Sequence, residues 1–310
     1  MAFELTVLGT SSALPTKEHY PAAHVLNVHE RLFLIDCGEG AQIQMLRAGL
    51  SAGRLEAVFI SHLHGDHVFG LFGLLSTMSM MGRKKELLIY GPAPLEEIMH
   101  NHLRYFGTDM MFPITVHPVG VDAPALIYKN PVMTVHSIPL KHRVPAIGFL
   151  FREKQSQRNV YKSFISAHNL QVSDIVQLKN GHDITLSGGQ TLTSETATCL
   201  PYAPRSYAYC SDTLFSETVI AQVRNVDLLY HEATYLSDKT VLAQRTMHST
   251  AVDAATVARQ ANVKRLLIGH FSSRYESRDC FLQEALPIFP KTQIAEELQR
   301  IEIRRNHRQL

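Results

Sequence analysis

Short apolar runs, each stopping at a polar residue, recur along the 310-residue chain. Phe3 to Leu8, His24 to Val28, Arg31 to Asp36, Ala57 to Ile60 and Leu87 to Tyr90 read as strands. So do Ile114 to Val119, Leu126 to Lys129, Val132 to Ile138, Ile147 to Phe151, Tyr207 to Cys210, Val226 to Tyr230 and Arg265 to Gly269. Helical spacing covers Ala41 to Ala48, Val68 to Met81, and Leu95 to Phe106 with Glu96 and Glu97 in its first turn. It returns from beyond Thr213 to about Val223, over Ala251 to Gln260 behind Ser249 or Thr250 as a cap, and from Arg278 to Phe289. Many strands and few helices fit two facing sheet layers flanked by helices. No repeat of solenoid period is visible.

The pattern weakens from Arg152 to about Glu195. Between Arg152 and Asn180 five basic residues (Arg152, Lys154, Arg158, Lys162, Lys179) face two acidic ones (Glu153, Asp174). Tyr161, Phe164 and Ile165 make the stretch too apolar for a pure linker. It reads as an inserted, partly ordered arm spanning 152–195 of a single domain 1–310.

Chemistry gathers where strands stop. After Ala57-Val58-Phe59-Ile60 comes Ser61-His62-Leu63-His64-Gly65-Asp66-His67, three imidazoles and a carboxylate within six residues. These are the ligand types of a zinc-like divalent ion. His62 and His64, two apart on a chain leaving a strand, point the same way, while Asp66 and His67 enter a helix and aim at a neighbouring point. Two ligand pairs at adjacent points suggest two metals. His142, Asp212 and His270 each follow another strand and complete the donor set. Asp36, at a strand end beside Gly38, is either a turn residue or a support for a metal-bound imidazole. His100 and His102, two apart on a helix, face apart and read as surface residues.

The segment S-H-L-H-G-D-H resembles the metal-binding motif of the metallo-β-lactamase superfamily. Its continuation His67-Val68-Phe69-Gly70-Leu71 with Gly73-Leu74-Leu75 is similar to the ribonuclease Z branch, the tRNA 3′-processing endonucleases. The resemblance runs nearly end to end. It implies a four-layer αβ/βα sandwich of metallo-β-lactamase type with an inserted flexible arm. It implies two zinc ions per subunit, one on His62, His64 and His142, the other on Asp66, His67 and His270, with Asp212 bridging. Asp36 takes the supporting part, Asp66 is the general base, and His248 with Glu232, in the H-S-T and H-E-A-T segments, protonates the leaving oxygen. Apart from the resemblance, Arg274, four residues after His270, is either within reach of a substrate phosphate or part of a surface ion pair. The implied partners are precursor tRNA, gripped by the arm, and a second subunit in a homodimer; no DNA is expected. Two departures stand out. The arm lacks the Gly-Pro segment usual in the family, with Asp174-Ile175-Val176 in that region, and Gly9-Thr10 is followed by Ser11-Ser12.

Composition excludes little beyond this. Apolar content of 45% and charged content of 19% are those of a globular protein, and a formal charge of +2 does not by itself announce nucleic acid. Cys37, Cys199, Cys210 and Cys280 form no close pair, which argues for free thiols in a reducing compartment. The first residues lack a basic leader and no long apolar run occurs, so a cytoplasmic protein off the membrane is expected. The rival readings are a small-ester hydrolase of the same fold, such as a phosphodiesterase, and a non-catalytic RNA-binding subunit.

Overall fold

The computed structural model describes residues 1–14, 16–107 and 109–305. These fall into two compact units, 1–152 with 206–303, and 153–205 with Arg304 and Arg305.

The larger unit is built on two seven-stranded sheets. The first contains β1 (Phe3–Gly9), β2 (Ala23–Val28), β3 (Arg31–Ile35), β4 (Leu55–Phe59), β5 (Leu87–Pro92) and β6 (Ile114–Val119). The second contains β7 (Leu126–Lys129), β8 (Met133–Pro139), β9 (Ile147–Glu153), β10 (Ser206–Cys210), β11 (Leu228–Glu232), β12 (Leu266–Gly269) and β13 (Thr292–Ile294). A last strand, β14 (Arg300–Glu302), returns to the first sheet beside β1. The sheet orders are β14-β1-β2-β3-β4-β5-β6 and β13-β12-β11-β10-β9-β8-β7. Strands β3 to β6 run parallel to one another, as do β10 to β13. The helices are α1 (Ala41–Arg47), α2 (Gly65–Met80) and α3 (Pro94–Phe106), then α4 (Glu217–Gln222), α5 (Thr240–Thr246), α6 (Ala251–Gln260) and α7 (Asp279–Ala285).

Strand alternation distributes the apolar side chains over three cores. Phe3, Leu5, Phe33 and Phe59 of the first sheet meet Phe149, Phe151, Tyr207 and Tyr230 of the second between the sheets. Burying rings of this kind contributes about 1.5–3 kcal/mol apiece. Their strand neighbours point outward. Val25, Leu34 and Val58 pack under α1, α2 and α3, while Ala208, Leu229 and Ile268 pack under α4, α6 and α7. The larger unit is therefore the four-layer αβ/βα sandwich of the metallo-β-lactamase type.

Several elements differ from the sequence reading. Helix α2 starts at Gly65, three residues before the first apolar position, so Asp66 and His67 lie in its first turn. Strand β11 runs on through His231 and Glu232, both buried, because they pair in register with Ile268 and Gly269. Helix α7 ends at Ala285 rather than Phe289, since the residue before Pro287 is disfavoured in a helix. Helix α5 and strands β13 and β14 are short and lack a clear period. His102 is half-buried against Phe72, not a free surface residue.

The smaller unit has its own core, Leu170, Leu178, Ile184, Leu192 and Ala197. Two helices, Lys162–His168 and Val172–Lys179, carry most of its regular structure. The Asp174 carboxylate accepts the Gln171 N–H and caps the second of them. Among the described residues no helix is long and apolar enough to cross a membrane, and all four cysteines are free.

Candidate metal centre

The C-terminal ends of the strands converge on one cleft of about 520 Å³, the edge at which open α/β sheets present their ligands. Asp36 follows β3, His62 and His64 follow β4, His142 follows β8, Asp212 follows β10, and His270 follows β12. Three of these strand ends turn in the left-handed region, with φ of 54° at Asp36, 24° at Asp212 and 60° at His270. Such backbone costs roughly 1–3 kcal/mol per residue and persists only where surroundings enforce it. Here it swings Asp212 and His270 off apolar strands into the cleft, and Asp36 to a buried position beneath it.

Among the described residues three overlapping groups of donor atoms result: His62, His64, His142 and Asp212 in the first, Asp66, His67 and His270 in the second, and Asp212, His248 and His270 in a third that shares members with both. In the first, His62 Nε2 lies 3.0 Å from His64 Nδ1, and His142 Nε2 lies 3.3 Å from the same atom. Asp212 Oδ2 is 3.4 Å from His62 Nε2 and 3.6 Å from His142 Nε2. In the second, Asp66 Oδ2 is 3.4 Å from His67 Nε2 and 3.6 Å from His270 Nε2. Asp212 reaches this group with its other oxygen, Oδ1, at 3.4 Å from His67 Nε2 and 3.2 Å from His270 Nε2. One carboxylate thus offers a separate oxygen to each of the first two groups.

Those separations suit a metal. Four ligands at 2.0–2.1 Å in a tetrahedron stand about 3.3–3.4 Å apart, close to the spacings in both groups. In the second group hydrogen bonding does not account for them, because the buried Nε2 atoms of His67 and His270 have no hydrogen-bond partner. Two fully desolvated imidazole nitrogens aimed past carboxylate oxygens need a cation to justify their burial. The donor set fits a divalent metal.

The outer nitrogens are held as well. His67 Nδ1 lies 2.7 Å from Asp36 Oδ2, His142 Nδ1 2.9 Å from the Met247 carbonyl, and His270 Nδ1 3.0 Å from Thr234 Oγ1. Met247 is itself left-handed, at φ 58°. Contacts of this kind orient a ligating ring and fix its tautomer. Without a cation the cluster polarises itself. Burial raises the Asp212 carboxyl, but His270, His67 and His62 outweigh it and hold the group well below the usual carboxylate range. Burial of His64, with His62 and His142 nearby, lowers its pKa to about 4, which keeps it neutral as a ligand must be.

His248 stands between α5 and α6. Thr250 caps α6 by accepting the Asp253 N–H, and Ser249 donates to the Thr213 carbonyl. The ring is 13% exposed and its Nδ1 lies 2.9 Å from Glu232 Oε1. It also lies 3.9 Å from Asp212 Oδ2, but the closer carboxylate claims Nδ1, so His248 is poorly placed as a ligand. Glu232 is fully buried and also accepts from the Thr213 N–H and the Thr234 hydroxyl. Burial lowers the His248 pKa, yet Glu232 more than compensates and pushes it up to about 9.

Arg274 lines the cleft, its Nη1 donating to Ser272 Oγ at 3.1 Å. Sequence reasoning missed Arg143, also on the cleft and exposed. Its position directly after His142 was the available signal. Thr234 was missed too, although it sits inside the H-E-A-T segment already singled out.

Against known proteins, a family model described as anti-Pycsar protein Apyc1 matches residues 3–109. Ribonuclease Z of Bacteroides thetaiotaomicron is 44% identical over 296 residues, covering 95% of this chain and 93% of that one. Ribonuclease Z of Phocaeicola vulgatus is 44% identical over 301 residues, covering 97% of both. The crystal structure of the short form of human tRNase Z superposes with a TM-score of 0.70 at 26% identity, covering 97% of this chain and 99% of that one.

Proposed function

This chain belongs to the ribonuclease Z family, and on that premise we propose that it removes the 3′ trailer of precursor tRNA as a zinc-dependent endoribonuclease. It cuts after the discriminator nucleotide, leaving a 3′-hydroxyl on the tRNA and a 5′-phosphate on the trailer. The observation that carries the reading is the pair of donor groups sharing Asp212, on a chain related over nearly its full length to this family.

His62, His64, His142 and Oδ2 of Asp212 would hold one zinc ion. Asp66, His67, His270 and Oδ1 of Asp212 would hold the other. When bound, such a pair supplies Lewis acidity toward phosphoryl oxygens and lowers the pKa of water toward neutrality. Asp66 serves as general base, taking the proton of the attacking water on its carboxylate. The Ala13 N–H, donating to Asp66 Oδ2 at 2.8 Å, helps to fix that carboxylate. His248 gives its Nε2 proton to the departing 3′-oxygen, because Nδ1 is committed to Glu232. Arg274 and Arg143 grip phosphates on either side of the scissile bond, contributing salt-dependent affinity. Phe69, 65% exposed on the cleft, offers a face on which a terminal base can stack.

The unit at 153–205 acts as the arm that binds the body of tRNA, its lysines and arginines meeting phosphates. The enzyme works as a cytoplasmic homodimer. An apolar hollow of about 400 Å³ beside α1 and α2, with Leu46 and Met81 exposed around it, supports pairing with a second copy. The test is incubation of zinc-loaded protein with an end-labelled precursor tRNA, mapping the cut to one nucleotide. Asp66→Ala should bind that RNA but cut it roughly 10²–10⁴-fold more slowly. Equal cutting by the variant would instead favour a non-catalytic RNA-binding role.

A further inference from the structure

Asp36 is completely buried and collects four donors. Its Oδ1 accepts the Ser61 N–H at 2.7 Å. Its Oδ2 accepts the Ser61 hydroxyl at 2.8 Å, His67 Nδ1 at 2.7 Å and the Tyr209 hydroxyl at 2.7 Å. A carboxylate so surrounded acts only as an acceptor, and Ser61 has a single hydroxyl proton to give. That proton goes to Asp36. The Ser61 oxygen is then an acceptor toward its other neighbour, His62 Nδ1, 3.0 Å away. The His62 proton must therefore sit on Nδ1, which leaves Nε2 bare. Nε2 is the atom that faces His64 Nδ1 and Asp212 Oδ2. On the other side, the direct contact between Asp36 and His67 Nδ1 leaves His67 Nε2 bare in the same way.

We propose that Ser61 is a positioning residue that passes the hold of Asp36 on to His62, so that one buried carboxylate sets the tautomer of one imidazole in each donor group. The inference rests on the two-ion reading above and adds to it a device that readies both groups together. Ser61 opens the histidine motif without being a metal donor itself, and it reaches the donor groups through His62 and Asp36. Tyr209 sits three residues before Asp212 on β10 of the second sheet. Its bond to Asp36, at the end of β3, ties the strand that delivers the shared ligand to the carboxylate that orients the other two.

The experiment is a titration of metal-free protein with zinc against a chromophoric chelator, on the full chain and its variants. The parent takes up two ions. Ser61→Ala keeps one ion at parental affinity and binds the other about 10–100-fold more weakly, the usual effect of losing an outer partner. Asp36→Asn weakens both. Nitrogen NMR of the histidine rings supplies a second readout, with His62 protonated at Nδ1 alone in the parent and divided between tautomers in Ser61→Ala. A merely structural role for Ser61 would lower the melting temperature of the metal-free protein and weaken both ions together, which overturns the proposal. So does Ser61→Ala binding both ions as the parent does. If Asp36→Asn does not fold, the Ser61→Ala arms decide alone. A parent that takes up fewer than two ions overturns the two-ion reading and this relay with it, whereas an unaltered Ser61→Ala overturns only the relay.

Discussion

Acidifying the metal-free protein from pH 7.5 to pH 5 bears on one side chain deep between the sheets, His24. It is fully buried, with Nδ1 2.9 Å from the Tyr207 hydroxyl and its ring edge-on to Tyr209 and Tyr230. Burial pushes its pKa from 6.5 down to about 3, an effect that the Asp36 charge opposes without overcoming. Since the folded value lies below the unfolded one, the unfolded chain takes the proton first as the pH falls. The stability contributed by neutral His24 is therefore full above about pH 6.5 and drains away toward pH 3. For a single site with those two values the loss is about 2 kcal/mol between pH 7.5 and pH 5, growing to about 5 kcal/mol in strong acid. His24→Phe removes the titration but leaves the Tyr207 hydroxyl without its partner, costing about 1–3 kcal/mol at pH 7.5. Urea unfolding of parent and variant across this range, with chelator present throughout, measures both effects. The parent's advantage should shrink by about 2 kcal/mol on going to pH 5. Parallel stability curves would refute the reasoning, because groups common to both proteins cancel in the difference.

Asp212→Ala removes an oxygen from each donor group, so zinc uptake should fall at both and cleavage should drop by more than the 10–100-fold typical of losing an outer partner; parental uptake by elemental analysis would contradict the shared-ligand reading. Deleting residues 155–190 should abolish cleavage of precursor tRNA while sparing a small chromogenic phosphodiester, since the larger unit keeps its three apolar cores. Equal retention of both activities would favour a small-ester hydrolase. Arg274→Ala should weaken tRNA binding and reduce the slope of log affinity against log salt by about 1. Gly70→Ala brings a Cβ to 2.1 Å from the Gly38 carbonyl oxygen, a backbone atom that cannot swing aside. About 1–3 kcal/mol of stability should be lost, visible as a lower melting temperature, and zinc affinity should fall because α2 carries Asp66 and His67.

Much of this molecule is legible in one dimension. Strand positions follow from period-two alternation, and each strand found in the larger unit before residue 210 coincides with an apolar run. The dense motif from Ser61 to His67 announces a metal because its donors are neighbours in the chain. His142, Asp212 and His270 are individually ordinary, and only resemblance or folding brings them into the set. Elements without period escaped notice, namely β13, β14 and α5, because three to seven residues carry too few repeats to stand above background. Apolar spacing continues past Pro287 to Phe289, but helix α7 stops at Ala285, before the proline.

By itself the sequence determined where most strands lie, which of their faces are apolar and the chemical kinds of the candidate metal donors, because periodicity and residue type are local properties. What only the tertiary structure decided is which atom of each ligand faces which neighbour. Asp212 splits its two oxygens between the groups, Glu232 claims Nδ1 of His248, and Ser61 stands between Asp36 and His62. Those assignments depend on left-handed turns at strand ends and on the distance between two sheets. Both are set by packing among residues far apart in the chain, and no local pattern encodes them.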